Sequence, residues 1–447
     1  MRYIPHTDED IRRMLKVVGL NKVSELFDSI PAEFRLDRSL DLPQPLDEES
    51  LVRLLGSLAA KNTASSDLAV FLGAGAYNHQ IPAAVDQLLL RGEFFTAYTP
   101  YQPEASQGTL QAIFEYQSML ASLTGCEVVN ASMYDGATAA AEALMMALRV
   151  KRKRKRLLLS ASVHPEVISV CRTYLSESKQ EPEEIRLSPD GLTDLDSLSS
   201  TIDDQTAAVL VQQPNLFGCI EDLSKIAEVT HQAGAMLIVS VLEPVSLGLL
   251  EAPAKLGADI VTGEAMGLGS GLNFGGPGLG IFGCSQKNAW QMPGRLIGQT
   301  SDSDDRRGFV LTMATREQHI RRARATSNIC TNEGLCALAA AIHLSLLGKN
   351  GFVELARINA ANAGAALKRL VKVGGVSRAF KTAFFNEFVL KLDRDVDQVL
   401  TDLAQAGVIA GLPLGRFYPE LNDCLLVCVT EMNTAEQVKR LAAGLEP

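Results

Sequence analysis

The feature that most constrains this chain is a rhythm from about residue 68 to 320, where short β-rich apolar runs alternate with helical patterns. The runs are LAVFL, CEVVNAS, KRLLLSASV, TAAVLVQ, AMLIVSV, DIVTG and GLGIFGC. Between them lie helical segments such as TLQAIFEYQSMLASLTG, GATAAAEALMMALRV and DLSKIAEVTHQAG. Strands joined through helices pair in parallel, and a parallel sheet needs both faces covered. The pattern therefore predicts an α/β fold whose mostly parallel sheet lies between helical layers. Farther on, a long helical stretch beginning at NEGLCALAAAIHLSLLG leads into FKTAFFNEFVLKL, a helix VDQVLTDLAQAG, a strand CLLVCVTE and a final helix AEQVKRLAAGL. The expected division is an N-terminal helical and extended arm over 1–62, a large α/β domain over 63–325 and a small C-terminal α/β domain over 326–447. Thr7, with Asp10 three residues on, is a capping-box signal for the first helix. The arm has no large core of its own and is expected to lie across another domain or a partner.

Composition narrows the function classes. A net charge of -10 argues against nucleic-acid binding, which needs a basic face. The run KRKRKR at 151–156 sits between a helix and an apolar strand and reads as a solvated helix end. The N-terminus carries no apolar signal segment, and no uninterrupted apolar run reaches membrane-spanning length, so no membrane and a cytoplasmic location are expected. Eight scattered cysteines without a C-x-x-C are expected to be reduced, and six histidines without a close cluster make no case for a metal.

Many α/β enzymes share that rhythm; specific sequence narrows it. AVFLGAGAYNHQIPAAV (69–85), FFTAYTPYQPEASQGTLQAIFEYQSMLASLTG (94–125), QQPNLFGCIED (212–222), FGGPGLGIF (274–282), MPGRLIGQT (292–300) and TREQHIRRARATSNICTN (315–332) resemble glycine cleavage system P-proteins. The resemblance spans nearly the whole chain and is strongest to subunit 1, the N-terminal-half type of glycine dehydrogenase (decarboxylating). It implies the PLP-dependent fold type I, the aspartate-aminotransferase-like fold. It further implies decarboxylation of glycine, release of CO2 and transfer of the aminomethyl group to the lipoyl arm of H-protein. By the same resemblance, pyridoxal 5'-phosphate is bound covalently by P-protein subunit 2, the assembly is an α2β2 heterotetramer, and the aminomethyltransferase T-protein is a functional link.

Such a fold implies a Schiff-base lysine beside the FGGP turn, yet DIVTGEAMGLGSGLNFGGPGLGIF has no lysine between Asp259 and Phe282. It also implies an acid under the cofactor's ring nitrogen, where this chain has Ser240. Glu243, three residues on, is expected on the opposite face of that strand. Both losses predict a subunit with no catalytic residue of its own and no activity alone. Asp135, Gly136, Thr138, His164 and Ser240 are then vestigial cofactor-pocket candidates, although Asp135 and Thr138 equally suit a plain helix cap. Candidates for a shared site or interface are Tyr98, Tyr101, Glu104 and Gln107 in one proline-bounded loop, Tyr77, Asn78 and His79 in another, and Arg295. For the tyrosines, an active-site role and a packing role are both open. The run Ala265 to Gly271 departs from its relatives by extra glycines and a missing proline, which predicts a reshaped loop. Two other functions remain on the table: an autonomous PLP enzyme and a drifted scaffold.

Overall fold

The computed structural model describes residues 5–36, 38–178 and 180–446. In chain order its strands are β1 (Ala69–Val70), β2 (Val128–Val129), β3 (Arg156–Ser160), β4 (Glu183–Ile185), β5 (Thr206–Gln212), β6 (Met236–Val241), β7 (Ile260–Glu264) and β8 (Gly280–Cys284). They continue as β9 (Leu296–Ser301), β10 (Arg307–Thr312), β11 (Val376–Arg378), β12 (Glu387–Leu392), β13 (Val408–Ile409), β14 (Leu412–Pro413) and β15 (Cys424–Cys428). Seven of them form the main sheet, in the order β2-β8-β7-β6-β5-β3-β4. β4, β3, β5, β6 and β7 run parallel, and β8 runs antiparallel to β7 and β2. Every residue of β5 and β6 is buried, which is why those runs are apolar without alternation.

The run LAVFL does not join the main sheet. Instead β1 pairs in parallel with β13, and Ala69 and Phe71 are buried with Phe388, Leu390 and Val427 in the C-terminal core. A short apolar strand fits any adjacent edge, so its composition does not specify which sheet it enters. β9 and β10 form an antiparallel pair outside the main sheet. A four-stranded antiparallel sheet, β11-β12-β15-β14, carries the C-terminal core, packed with the helices Val396–Gln405 and Ala435–Leu445.

The helix Gly334–Leu370 joins the two cores. Ala337, Ala340, Leu344 and Phe352 pack with Val211, Val239 and Val261 of the main sheet, whereas Ala363, Ala366 and Leu370 pack in the C-terminal core. Gly348, at φ 59°, breaks its backbone between these halves. Among the described residues this is the one helix long and apolar enough to cross a membrane. Many of its apolar positions are taken up by the two cores, while Leu335, Leu346 and Ile358 are exposed.

The residues up to Thr63 form a separate unit. Its helices are Asp8–Val18, started by the Thr7–Asp10 capping box, and Glu48–Ala59. Among its described residues only Leu15 is buried, and Val17, Leu26, Phe27, Phe34 and Leu42 are exposed. The basic run is built into strand ends rather than only solvated. Arg154 donates to the Thr206 and Ala233 carbonyls at 2.8 Å, and Arg156 pairs with Glu183 and Asp203.

Candidate functional site

The helix Gly136–Val150 begins beside Gly263 near the end of β7, and a helix N-terminus presents N–H groups suited to an anion. Asp135 caps this helix: its Oδ1 accepts from the Thr138 N–H at 2.7 Å, and Thr138 completes the capping box. The Gly136 N–H donates to Glu264 Oε2 at 3.0 Å. Glu264 Oε1 also accepts from the Met266 and Leu279 amides, at 2.9 and 2.7 Å. The cradle is therefore filled by this chain's own carboxylate. Leu242 lies alongside, since a Cβ at Gly75 would sit 3.3 Å from its Cδ1 and one at Gly136 would sit 3.1 Å from its Cδ2.

His164 caps the helix Pro165–Leu175, its Nδ1 accepting from the Glu166 amide at 3.1 Å. Burial pushes its pKa below the usual imidazole value. Ser240 is wholly buried in β6, and its hydroxyl has no hydrogen-bond partner, like that of its neighbour Thr262 in β7.

The structure places Tyr77 and His79, candidates for a cleft or an interface, among the buried residues of the chain. Tyr77 donates to Glu387 Oε2 at 2.8 Å. His79 lies between two carboxylates, with Nε2 3.1 Å from Glu243 and Nδ1 3.0 Å from Glu431. Asn386 and Asn359 donate to the same two carboxylates, at 2.7 and 2.8 Å. Glu243 does not follow strand alternation because β6 ends at Val241, and Glu243 instead caps the turn Pro244–Gly248. Asn78 is exposed, with its carbonyl accepting from Thr430 at 2.8 Å.

Burial raises the Glu387 carboxyl to about 7, although the Ala74 amide and Tyr77 hydroxyl oppose it. A carboxyl raised in the fold contributes stability that is fully present below its ordinary value of 4.5 and is lost as pH rises through about 7. Glu387→Gln is accordingly expected to flatten the stability profile across that window. Chemical denaturation at several pH values should show a gain of up to about 3 kcal/mol at pH 8 relative to the parent. An unchanged slope would contradict the assignment.

The second site is the aromatic loop. Tyr98 is 81% exposed and Tyr101 is half-exposed, their ring centroids 6.4 Å apart. Arg295, 3% exposed, donates from Nη2 to the Tyr101 hydroxyl at 2.7 Å, and its Cζ lies 4.9 Å from the ring centroid. Its Nε is 3.7 Å from Glu317, too long for a hydrogen bond, and neither Nε nor Nη1 has a hydrogen-bond partner. A cavity of about 240 Å³ opens beside the loop, lined by Phe94, Tyr98, Pro100, Thr331 and Asn332 among others. Glu104 is exposed. The Gln107 amide exchanges hydrogen bonds with the backbone of Phe309, at 2.8 and 2.9 Å. Among the described residues no group of three His, Cys, Asp or Glu is placed to hold a metal.

The family model for the glycine cleavage system P-protein matches residues 1–445. The chain belongs to this family. A probable glycine dehydrogenase (decarboxylating) subunit 1 of Brevibacillus brevis is 50% identical over 445 residues, covering 100% of this chain and 98% of that protein. A crystal structure of the glycine decarboxylase (P-protein) of the glycine cleavage system in inhibitor-bound form superposes with a TM-score of 0.90 at 43% identity, covering 100% of this chain and 99% of that one. The sphingosine-1-phosphate lyase of Burkholderia pseudomallei K96243, at 16% identity and TM-score 0.66 over 93% of each chain, shares the fold alone. The P-protein chain thus has the PLP-dependent fold type I.

The residues present in this P-protein chain do not fit PLP. The anion cradle holds Glu264, Leu242 reaches both Gly75 and Gly136, and the hydroxyl of Ser240 cannot balance a pyridinium as a carboxylate does. No lysine lies between Asp259 and Phe282 to supply an amine. Sequence reasoning noticed the missing lysine but missed the glutamate filling the cradle and the carboxylates around His79. Contacts between residues 128 to 352 positions apart leave no local signature.

Proposed function

We propose that this chain is the lysine-less subunit of a divided glycine decarboxylase, which with subunit 2 decarboxylates glycine and passes the aminomethyl group to the lipoyl arm of H-protein. The likeness to proteins named as subunit 1, at about half of all positions and across the full length, carries the reading. PLP is held covalently by the partner, where it supplies the electron sink for the carbanion left when CO2 departs. This chain's own contribution is positional. Tyr98 and Tyr101 present aromatic faces and hydroxyls at an exposed loop, and the buried guanidinium of Arg295 holds the Tyr101 ring in place. The unpartnered N–H groups of Arg295 are suited to a carboxylate. The exposed apolar residues of the arm suit burial against subunit 2 in an α2β2 heterotetramer. The same proposal includes the arm over 1–62, large domain over 63–325 and small domain over 326–447, a cytoplasmic location and a functional link to T-protein.

The location of the cofactor is tested by borohydride reduction of the complex loaded with PLP, followed by mass analysis of each chain. Reduced cofactor on subunit 2 alone is expected; stoichiometric label on this chain would overturn the reading.

A further inference from the structure

Glu264 ends β7 where the 265–279 loop leaves the sheet, and it is partly buried there. Its two oxygens take three backbone amides from separate places: the first residue of the helix Gly136–Val150, the start of the loop and its end. Convergent main-chain donors that include the first amide of a 15-residue helix form the kind of arrangement that proteins use for oxyanions. Gly278 packs tightly beside the carboxylate: a Cβ there would lie 2.9 Å from Asp135 Cβ and from the Tyr134 carbonyl oxygen, and 3.2 Å from Glu264 Oε2. The loop closed by these bonds carries Phe274 at its tip, fully exposed.

We propose that Glu264 is an internal ligand: its carboxylate permanently occupies an oxyanion cradle of the fold, sealing it against phosphate and clamping both ends of the 266–279 loop. The chain then folds without a bound anion, and removing the carboxylate reopens a site for a small tetrahedral oxyanion. This concerns the chain's own pocket and does not depend on whether the shared site catalyses.

The test is thermal unfolding of the full chain and of Glu264→Ala, each in chloride and in about 20 mM inorganic phosphate at equal ionic strength. Loss of the acceptor for three amides is expected to lower the midpoint of the variant on the order of 5 °C. Phosphate should restore most of that loss while moving the parent only by its general salting effect, which the parent itself measures. Equal phosphate responses in parent and variant would overturn the proposal, as would an unchanged midpoint in chloride. Glu264→Gln keeps the volume but sets an NH2 against amide donors, so it should lose stability without gaining a phosphate response. If Glu264→Ala does not fold, this second variant decides: a parent-like midpoint for it would also overturn the proposal.

Discussion

His79→Gln is expected to lower the unfolding free energy by about 3–5 kcal/mol, because it leaves the carboxylates of Glu243 and Glu431 enclosed without their cation. The imidazole side chain is 1% exposed, and that of Glu243 is 2% exposed, so water cannot take over the histidine's role. Burial alone would lower the His79 pKa, but the two carboxylates outweigh it and hold the ring charged up to about 10. The stability from this raised group is fully present below its ordinary value of 6.5 and is lost as pH rises through about 10. Glu431 behaves in the opposite sense. Burial would raise its carboxyl, yet His79 lowers it to about 2, so its contribution is present above 4.5 and lost as pH falls through about 2. Urea titrations from pH 5 to pH 10 should show the parent losing stability above about pH 6.5, at no more than about 1.4 kcal/mol per pH unit from this histidine. In the variant that component of the slope should vanish. A variant as stable as the parent at pH 6 would mean the histidine is neutral and replaceable. The network matters beyond its local energy: His79 follows β1, Glu243 follows β6 and Glu431 follows β15, so one imidazole ties three strand ends together.

Changes at the Tyr101–Arg295 pair should have their main effect on catalysis by the assembled enzyme. Tyr101→Phe removes the hydroxyl that accepts from Arg295 and keeps the ring beneath its guanidinium. A hydrogen bond to a charged group is worth about 1.5–3 kcal/mol, so a hydroxyl used in the rate-limiting step should cost roughly 10–100-fold in glycine-dependent exchange. Arg295→Lys keeps the charge but loses the planar fork that reaches the Tyr101 hydroxyl, and it should be at least as damaging. The informative quantity is the division between kcat and KM. A carboxylate-holding role for Arg295 raises KM for glycine, whereas a ring-positioning role lowers kcat at unchanged KM. If Tyr101→Phe exchanges at the parent rate with unaltered KM, its hydroxyl has only a packing role.

The main sheet was legible because its central strands are enclosed on both faces, and continuous apolar runs such as TAAVLVQ and MLIVSV have few other uses. β9 and β10 were not, since LIGQTS and RGFVLT lie at a partly exposed periphery where neither apolar continuity nor strict alternation is enforced. The placement of β1 was hidden for a different reason: its partners at 408–409 lie more than 300 residues away in the chain. For the pocket, absence was easier to read than replacement. A missing lysine and a serine at 240 are visible in a string of residues. That a glutamate just past the expected strand DIVTG would bond a helix N-terminus depends on the sheet's three-dimensional order. Likewise, His79 in a glycine-rich stretch resembled a cleft residue until β6 proved to end at Val241, freeing Glu243 to turn toward it. The Asp135–Thr138 cap illustrates a motif with two readings, and the structure uses it as a cap.

The most direct measurement is glycine-dependent exchange of labelled CO2, with lipoylated H-protein and PLP present, for this chain alone, for its candidate second subunit alone, and for both together. Exchange is expected only in the mixture. Substantial exchange by this chain alone would contradict the conclusion that its own pocket is closed to the cofactor, and no stimulation of a competent second subunit would contradict its role as the completing half of the enzyme.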